Sequence, residues 1–218
     1  MRKKASLLED TLFQMLISAI TETLAKLTNL KTAGFYKEAQ DVIDHNLEGL
    51  LGLKADLARR LSDEYIIEML TINGVLDVER LFYVAEFFRE DGEILKLQGK
   101  TMEGQTNQIR ALNFFLEIAF AARDLHSGIS ERIQALFESL KDFLLDDTLF
   151  TVFDYFEQQG AFAKAESAVD QMLAVTHQNP EILLEKKKFF RRLLKKSDEE
   201  IEAGGLTRLE IKTKLKKG

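Results

Sequence analysis

Gly99-Lys100-Thr101 is the nearest this chain comes to a string that does chemistry. In a phosphate-binding loop, backbone amides cradle the phosphates, a lysine reaches them and a Ser or Thr hydroxyl holds magnesium. Completing that motif takes a glycine at position 94, where this chain has Ile94, and a strand leading in, where the apolar spacing predicts helix. Nucleotide binding is therefore not expected there, and Lys100 reads as a solvated lysine beside a small residue. His45, His126 and His177 lie far apart, and none belongs to a Glu-x-x-His or His-Glu-x-x-His string, so the usual di-iron and zincin spacings are missing. They read as exposed or capping side chains. Asp41/Asp44, Asp146/Asp147 and Glu199/Glu200 are carboxylate pairs of the kind that can share acid and base work, but helices carry many such pairs on wetted faces. With no cysteine there is no thiolate nucleophile, disulfide framework or Cys-based metal site. The expectation is no catalytic residue, no metal and no cofactor.

Sixteen phenylalanines are the chain's other chemical peculiarity. Phe87-Phe88, Phe114-Phe115 and Phe189-Phe190 place adjacent rings about 100° apart on a helix, so that one ring meets a neighbouring helix and the other a second layer. Core packing is the primary reading. A Phe-lined cavity holding a ligand is the alternative.

The elements that position these residues are helices almost everywhere. Apolar residues recur at three and four, β-branched alternation is absent, and the one proline is Pro180. Leu12, Leu16, Ile20, Leu24 and Leu27 predict a first helix over 6–30, broken at Gly34. A second follows over 35–60, a short third after Ser62-Asp63-Glu64, and Asn73-Gly74 ends it. Asp77 caps a longer helix with Gly92 as its weak point, and another helix is predicted over 106–125. Gly128-Ile129-Ser130 starts the next, Asp146-Asp147 opens one that stops at Gly160, and helices over 161–177 and 180–196 close the set. Pro180 suits a first helical turn, where its missing N–H leaves nothing unsatisfied.

Gly34-Phe35-Tyr36-Lys37-Glu38-Ala39 returns as Gly160-Ala161-Phe162-Ala163-Lys164-Ala165, with glycine, aromatic and alanine spaced for a reversal between closely packed helices. On these residues the sequence resembles the tetratricopeptide repeat, with Leu95, Gly99, Met102, Ala111 and Phe115 as a middle copy and Leu149, Val152, Phe156, Ala165 and Val169 as a third. No copy has the repeat's tryptophan, and Ala39, Ala111 and Ala165 are 72 and 54 residues apart rather than multiples of about 34. The order of elements also resembles a family of uncharacterised tetratricopeptide-like bacterial proteins, which implies a fold and no activity. The expected architecture is all-α, stacked antiparallel helix pairs in a degenerate tetratricopeptide-like solenoid, with an irregular helical bundle as the alternative. One elongated domain is expected over 1–196, with a sub-boundary near 126–130, then a basic C-terminal appendage over 197–218, in which 196–205 reads as a hinge and 206–218 as the basic extension.

Charge divides along the chain. Residues 1–180 carry 18 Lys and Arg against 29 Asp and Glu, whereas 181–218 carry 12 against 7, so a body of −11 precedes a tail of +5. An acidic body is unsuited to nucleic acid, and only the basic helix could meet nucleic acid or an anionic membrane. That helix reads first as a cap on the stack, with Ile182, Phe189 and Leu193 facing inward. Met1-Arg2-Lys3-Lys4 before Leu12 to Ile20 imitates a signal peptide, but Glu9 and Asp10 interrupt it, so a cytoplasmic protein is expected. No integral membrane association is expected, because no stretch approaches the roughly 18–20 apolar residues of a span.

Together these features predict a non-enzymatic scaffold that takes a protein or peptide partner in a groove between helix pairs, with homo-oligomers left open. The groove residues expected from the repeat register are Glu93, Lys96 and Lys100 from one copy and Asp147, Thr151, Asp154 and Gln158 from another.

Overall fold

One glycine-centred turn recurs between helix pairs of the chain. In the computed structural model, which describes residues 17–18, 20–122 and 126–217, helix α1 occupies 20–32 and reverses at Gly34 into α2 (Tyr36–Leu51). Gly34 has φ +77°, its N–H donates to the Lys31 carbonyl, and the Phe35 N–H donates to that of Leu30. This is the Schellman arrangement, which favours a residue without a Cβ penalty at positive φ. The same pair of bonds recurs at Gly99, between α5 (Val78–Leu97) and α6 (Thr101–Ala121), and at Gly160, between α8 (Asp146–Gln158) and α9 (Phe162–Val175). Five residues after each glycine stands a small residue: Ala39, Gly104 and Ala165. The register expected for the α5–α6 hairpin is thereby corrected. Ala111 is fully buried, but the position equivalent to Ala39 and Ala165 is Gly104, and Gly99 lies in the turn rather than inside a first helix.

The chain is all-α, its helices packed in antiparallel pairs. Its contacts divide it into two compact units, Met1–Leu140 and Lys141–Gly218, whereas the sequence reading extends one domain to residue 196 with a sub-boundary near 126–130.

In the first unit, α5 and α6 are the central pair. Gly92, expected as a weak point, is the reason they approach so closely. A Cβ added at Gly92 would stand 2.6 Å from the Gly104 carbonyl oxygen, and one at Gly104 would stand 2.5 Å from that of Gly92. Phe88 meets Phe114 edge-on at 5.6 Å and Phe82 meets Phe115 at 6.0 Å, so these rings fill the core. Against this pair lie α2, α3 (Ala55–Arg60), α4 (Asp63–Met69) and α7 (His126–Leu140). Ile20 and Leu27 of α1 are buried, while Leu12 and Leu16 of the predicted stripe, and Leu125 at the end of the helix predicted over 106–125, lie outside the described residues. A small hairpin was not anticipated. β1 (Thr71–Ile72) and β2 (Val75–Leu76) pair antiparallel, Thr71 opposite Leu76 and Ile72 opposite Val75, around Asn73 and Gly74, both at positive φ. Asn-Gly is the pair that such a two-residue turn favours.

In the second unit, a 3₁₀ turn (Lys141–Phe143) precedes the α8–α9 hairpin, and α10 (Pro180–Leu193) packs on α9. Phe189 and Leu193 are fully buried and Ile182 is half-buried, as expected of the capping helix, and Phe189 meets Phe153 edge-on at 5.4 Å. Pro180 occupies the first turn, behind an Asn179 side chain that accepts from the Glu181 N–H at 2.9 Å. The expected hinge and appendage are instead built into this unit. Ser197 and Glu200 form a capping box at the start of α11 (Asp198–Ala203), Ile201 is fully buried, and the Ala163 N–H donates to the Gly204 carbonyl at 2.9 Å. α12 (Arg208–Lys217) then buries Ile211, while Arg208 donates to the Leu194 carbonyl at 2.8 Å and to that of Lys196 at 2.5 Å.

Candidate partner-binding site

Helix α5 is apolar on nearly every face, with Leu81, Phe82, Val84, Ala85, Phe87, Phe88, Ile94 and Leu95 all buried. Charges in such a helix have nowhere to go but inward. Glu86, Glu90 and Asp91 are accordingly buried, and buried carboxylates persist only when paired and hydrogen-bonded. Glu86 accepts from Arg132 of α7 and from Arg89, the latter at 2.9 Å. Glu90 accepts from Arg89 at 2.5 Å and from Lys31 of α1, whose amine also reaches Glu93 at 2.5 Å. Burial opposes the charge on Lys31, but its hydrogen bonds to Glu90 and Glu93 outweigh that and hold its pKa above the usual lysine value. Arg89 is likewise desolvated, and its three carboxylate neighbours more than compensate. Three carboxylates thus face three cations, and the network ties α1 and α7 to α5.

A second network lies one turn along. Asp91 accepts from Arg59 of α3 at 2.8 Å and from Asn107 of α6 at 2.9 Å, and Arg59 also donates to Asp44 of α2 at 2.5 Å. Arg110 of α6 sits with its guanidinium 4.3 Å above the Phe88 ring. It donates to the Asp63 carboxylate at 2.6 Å and to the carbonyls of Arg59 and Leu61 at 2.9 and 2.8 Å, closing the junction between α3 and α4. These buried charges went unseen in the sequence, although apolar residues on all sides of α5 were a signal for them.

Above the first network opens a cleft of about 410 Å³ between α5, α6 and α7, lined by Arg89, Glu93, Lys96, Gln108, Glu131, Arg132, Ala135, Leu136 and Ser139. Arg89 and Arg132 are engaged by Glu86. Lys96 is different: its amine donates to the neutral Gln108 amide oxygen, and burial holds its pKa below the usual lysine value, partly offset by the charge of Glu93. Across the cleft, the Glu131 side chain is exposed. A further cleft, of about 440 Å³, is lined by Lys100 together with Gln40, Asp56, Arg59, Asp91, Leu95, Glu103, Thr106 and Asn107.

Glu93 and Lys96 therefore share a cleft, Lys100 lines the other, and the remaining expected groove residues fall in the second unit. Asp147, Thr151, Asp154 and Gln158 lie along α8, where the Thr151 hydroxyl donates to the Asp147 carbonyl at 2.9 Å and the Gln158 amide to the Asp154 carboxylate at 2.7 Å. Phenylalanines line neither larger cleft; Phe87 borders a small cavity of about 120 Å³ with Ile20, Thr23, Asn46, Leu50 and Tyr83.

Gly99-Lys100-Thr101 forms the α5–α6 turn with helix, not strand, before it. His45 is exposed in the middle of α2, and His177 is exposed at φ +51° after α9. The described residues of α7 begin at His126, whose side chain lies outside the described part. Among the described residues no three His, Cys, Asp or Glu side chains gather as a metal site, and no helix is long and apolar enough to cross a membrane.

Fold and site thus define an all-α protein of helical hairpins with a charged cleft in its first unit. The chain belongs to the family of unknown function DUF6483, which matches it over residues 7–217. No curated protein and no solved structure matches it.

Proposed function

We propose that the chain is a non-enzymatic scaffold that binds a segment of a protein partner in the cleft between α5, α6 and α7, acting in the cytoplasm that its lack of cysteine suits. Its repeated Gly-turn hairpins fit the tetratricopeptide-like reading, in which helix pairs present side chains from their first helices to a partner. One observation carries the proposal: the cleft wall is held rigid by a closed network of buried ion pairs, yet Lys96 and Glu131 are left over with no carboxylate or cation bonded to them among the described residues. Preorganised walls lower the ordering cost of binding, and leftover opposite charges select a segment with the complementary pattern. A partner carboxylate would meet Lys96 and a partner Lys or Arg would meet Glu131, with Ala135 and Leu136 supplying apolar contact.

The test is selection of a random peptide display library on the full chain. The expected winners carry an acidic and a basic residue, and Lys96→Ala weakens their binding about tenfold or more. Glu131→Lys should reverse the preference at the basic position. Winners that bind Lys96→Ala and Glu131→Lys as well as wild type would overturn the assignment of this cleft.

A further inference from the structure

Charge in the second unit divides along its sequence. Residues 141–180 carry 2 cations against 7 acids, and residues 181–218 carry 12 against 7. Some of the excess is absorbed internally. Lys186 pairs with Asp170, Arg192 with Glu157 at 2.6 Å and with Glu185 at 2.8 Å, Lys214 with Glu166 at 2.5 Å, and Arg208 with Asp198. Lys186, Arg192 and Lys214 thereby bind the tail to α8 and α9, while Arg208 ties α12 to α11 and to the end of α10.

What remains points away from the core. Opposite the buried Phe189, Phe190 and Leu193, the positions Leu184, Lys188 and Arg191 recur at the spacing of one helical face, Lys195 follows in the turn just past the C-cap Leu194, and all four are exposed. On α12, opposite the buried Ile211, Leu209, Lys212 and Lys216 do the same. Among the described residues, Arg191, Lys195, Lys212 and Lys216 form no ion pair, and Lys188 meets only Glu185, at 3.6 Å. Helices α10 and α12 touch, and Arg208 at the start of α12 reaches the carbonyls at the end of α10, so the two faces belong to neighbouring helices. Each carries an exposed leucine with its cations, Leu184 at 49% and Leu209 at 76% exposure.

We infer that this paired face of α10 and α12 docks on an anionic lipid surface. Charge complementarity selects a polyanion, and the leucines select lipid over nucleic acid. An apolar side chain flanked by cations can enter the boundary between headgroups and acyl chains while the cations meet phosphates and carboxylates. Nucleic-acid readers add aromatic platforms or amide side chains for the bases. The two aromatics of α10, Phe189 and Phe190, are buried, and neither α10 nor α12 contains Asn or Gln. The inference is independent of the cleft in the first unit and would survive its loss.

The experiment measures binding of the full chain to vesicles of phosphatidylcholine with and without about one third phosphatidylserine. Binding to the anionic vesicles that falls steeply with added salt is expected. Each cation near such a surface is worth about fivefold in partitioning, so the combined variant Arg191→Glu, Lys195→Glu, Lys212→Glu and Lys216→Glu should bind at least about 100-fold more weakly. Its thermal melt should match wild type, since these side chains are exposed and unpaired. Leu184→Ser with Leu209→Ser should weaken vesicle binding and leave retention on a polyanion column unchanged. Equal binding to neutral and anionic vesicles would overturn the inference. So would undiminished vesicle binding by the leucine variant, or tighter binding to single-stranded RNA than to anionic vesicles at equal salt.

Discussion

Replacing Arg110 with alanine should be among the most damaging single changes in the first unit. The side chain is 8% exposed and holds four partners at once: the Asp63 carboxylate, the carbonyls ending α3 at Arg59 and Leu61, and the Phe88 ring. Three charged hydrogen bonds at about 1.5–3 kcal/mol each, with a cation–π contact of about 1 kcal/mol, give a gross sum well above what is lost on net, because the guanidinium also sheds its burial cost. Measured losses from breaking one side of a buried pair, about 3–5 kcal/mol, set the better scale. Asp63 keeps a bond from Asn113 at 2.8 Å, which places the expected loss near the lower half of that range, about 3–4 kcal/mol. At about 2–4 °C per kcal/mol for a chain of this size, the melt should fall by roughly 6–16 °C. Lysine keeps the charge but not the fork, so Arg110→Lys should recover less than half of the loss. Urea unfolding followed by far-ultraviolet circular dichroism reads both variants. Arg110→Ala within about 1 kcal/mol of wild type would refute the argument that this guanidinium closes the α3–α4 junction.

Three further outcomes follow from packing and titration. Gly104→Ala should destabilise by about 1–2 kcal/mol in thermal unfolding, because its Cβ would stand 2.5 Å from the Gly92 carbonyl oxygen, an overpacking that outweighs alanine's better helix propensity of about 1 kcal/mol; stabilisation would refute the close crossing. Phe189→Ala should cost about 3–5 kcal/mol by the same measurement, since the ring is fully buried against Phe153 and Phe190, and wild-type stability would refute the capping role of α10. Burial, with the hydrogen bond and charge of Glu79, pushes the Tyr83 phenol from 10.0 up to about 12, so between these values the unfolded chain has released a proton that the folded chain keeps. Stability therefore falls as pH rises through that window, and alkaline absorbance titration should show a late tyrosine that Tyr83→Phe removes.

The sequence made the helices legible because their stripes and stops are local. Gly34 and Gly160 marked reversals, Pro180 a first turn, and Phe189 with Leu193 a buried face, all found where expected. The middle hairpin misled because its small residue is Gly104 rather than an alanine, and the match slid to Ala111. Asn73-Gly74 read as a helix stop, since a ladder of two residues each side leaves no alternating pattern to detect. The tail read as hinge and appendage because its high charge masks three widely spaced anchors, Ile201, Leu206 and Ile211. Of the site, Glu93 and Lys96 fall in one cleft, but the internal pairs of Glu86, Glu90 and Asp91 depend on cations 32 to 59 residues away or on other helices, a separation that periodicity does not carry.

The central claim, that the cleft between α5, α6 and α7 receives a protein segment, is tested most directly by site-specific photo-crosslinking in the source cell. Ala135 is exposed on the cleft wall, so a benzophenone side chain in its place reports contact without touching the ion-pair network. The account predicts a discrete adduct of one protein at position 135, absent from a probe at exposed Asp146 in the second unit and abolished when Lys96→Glu is added. An adduct that persists with Lys96→Glu, or that forms equally from position 146, would contradict it.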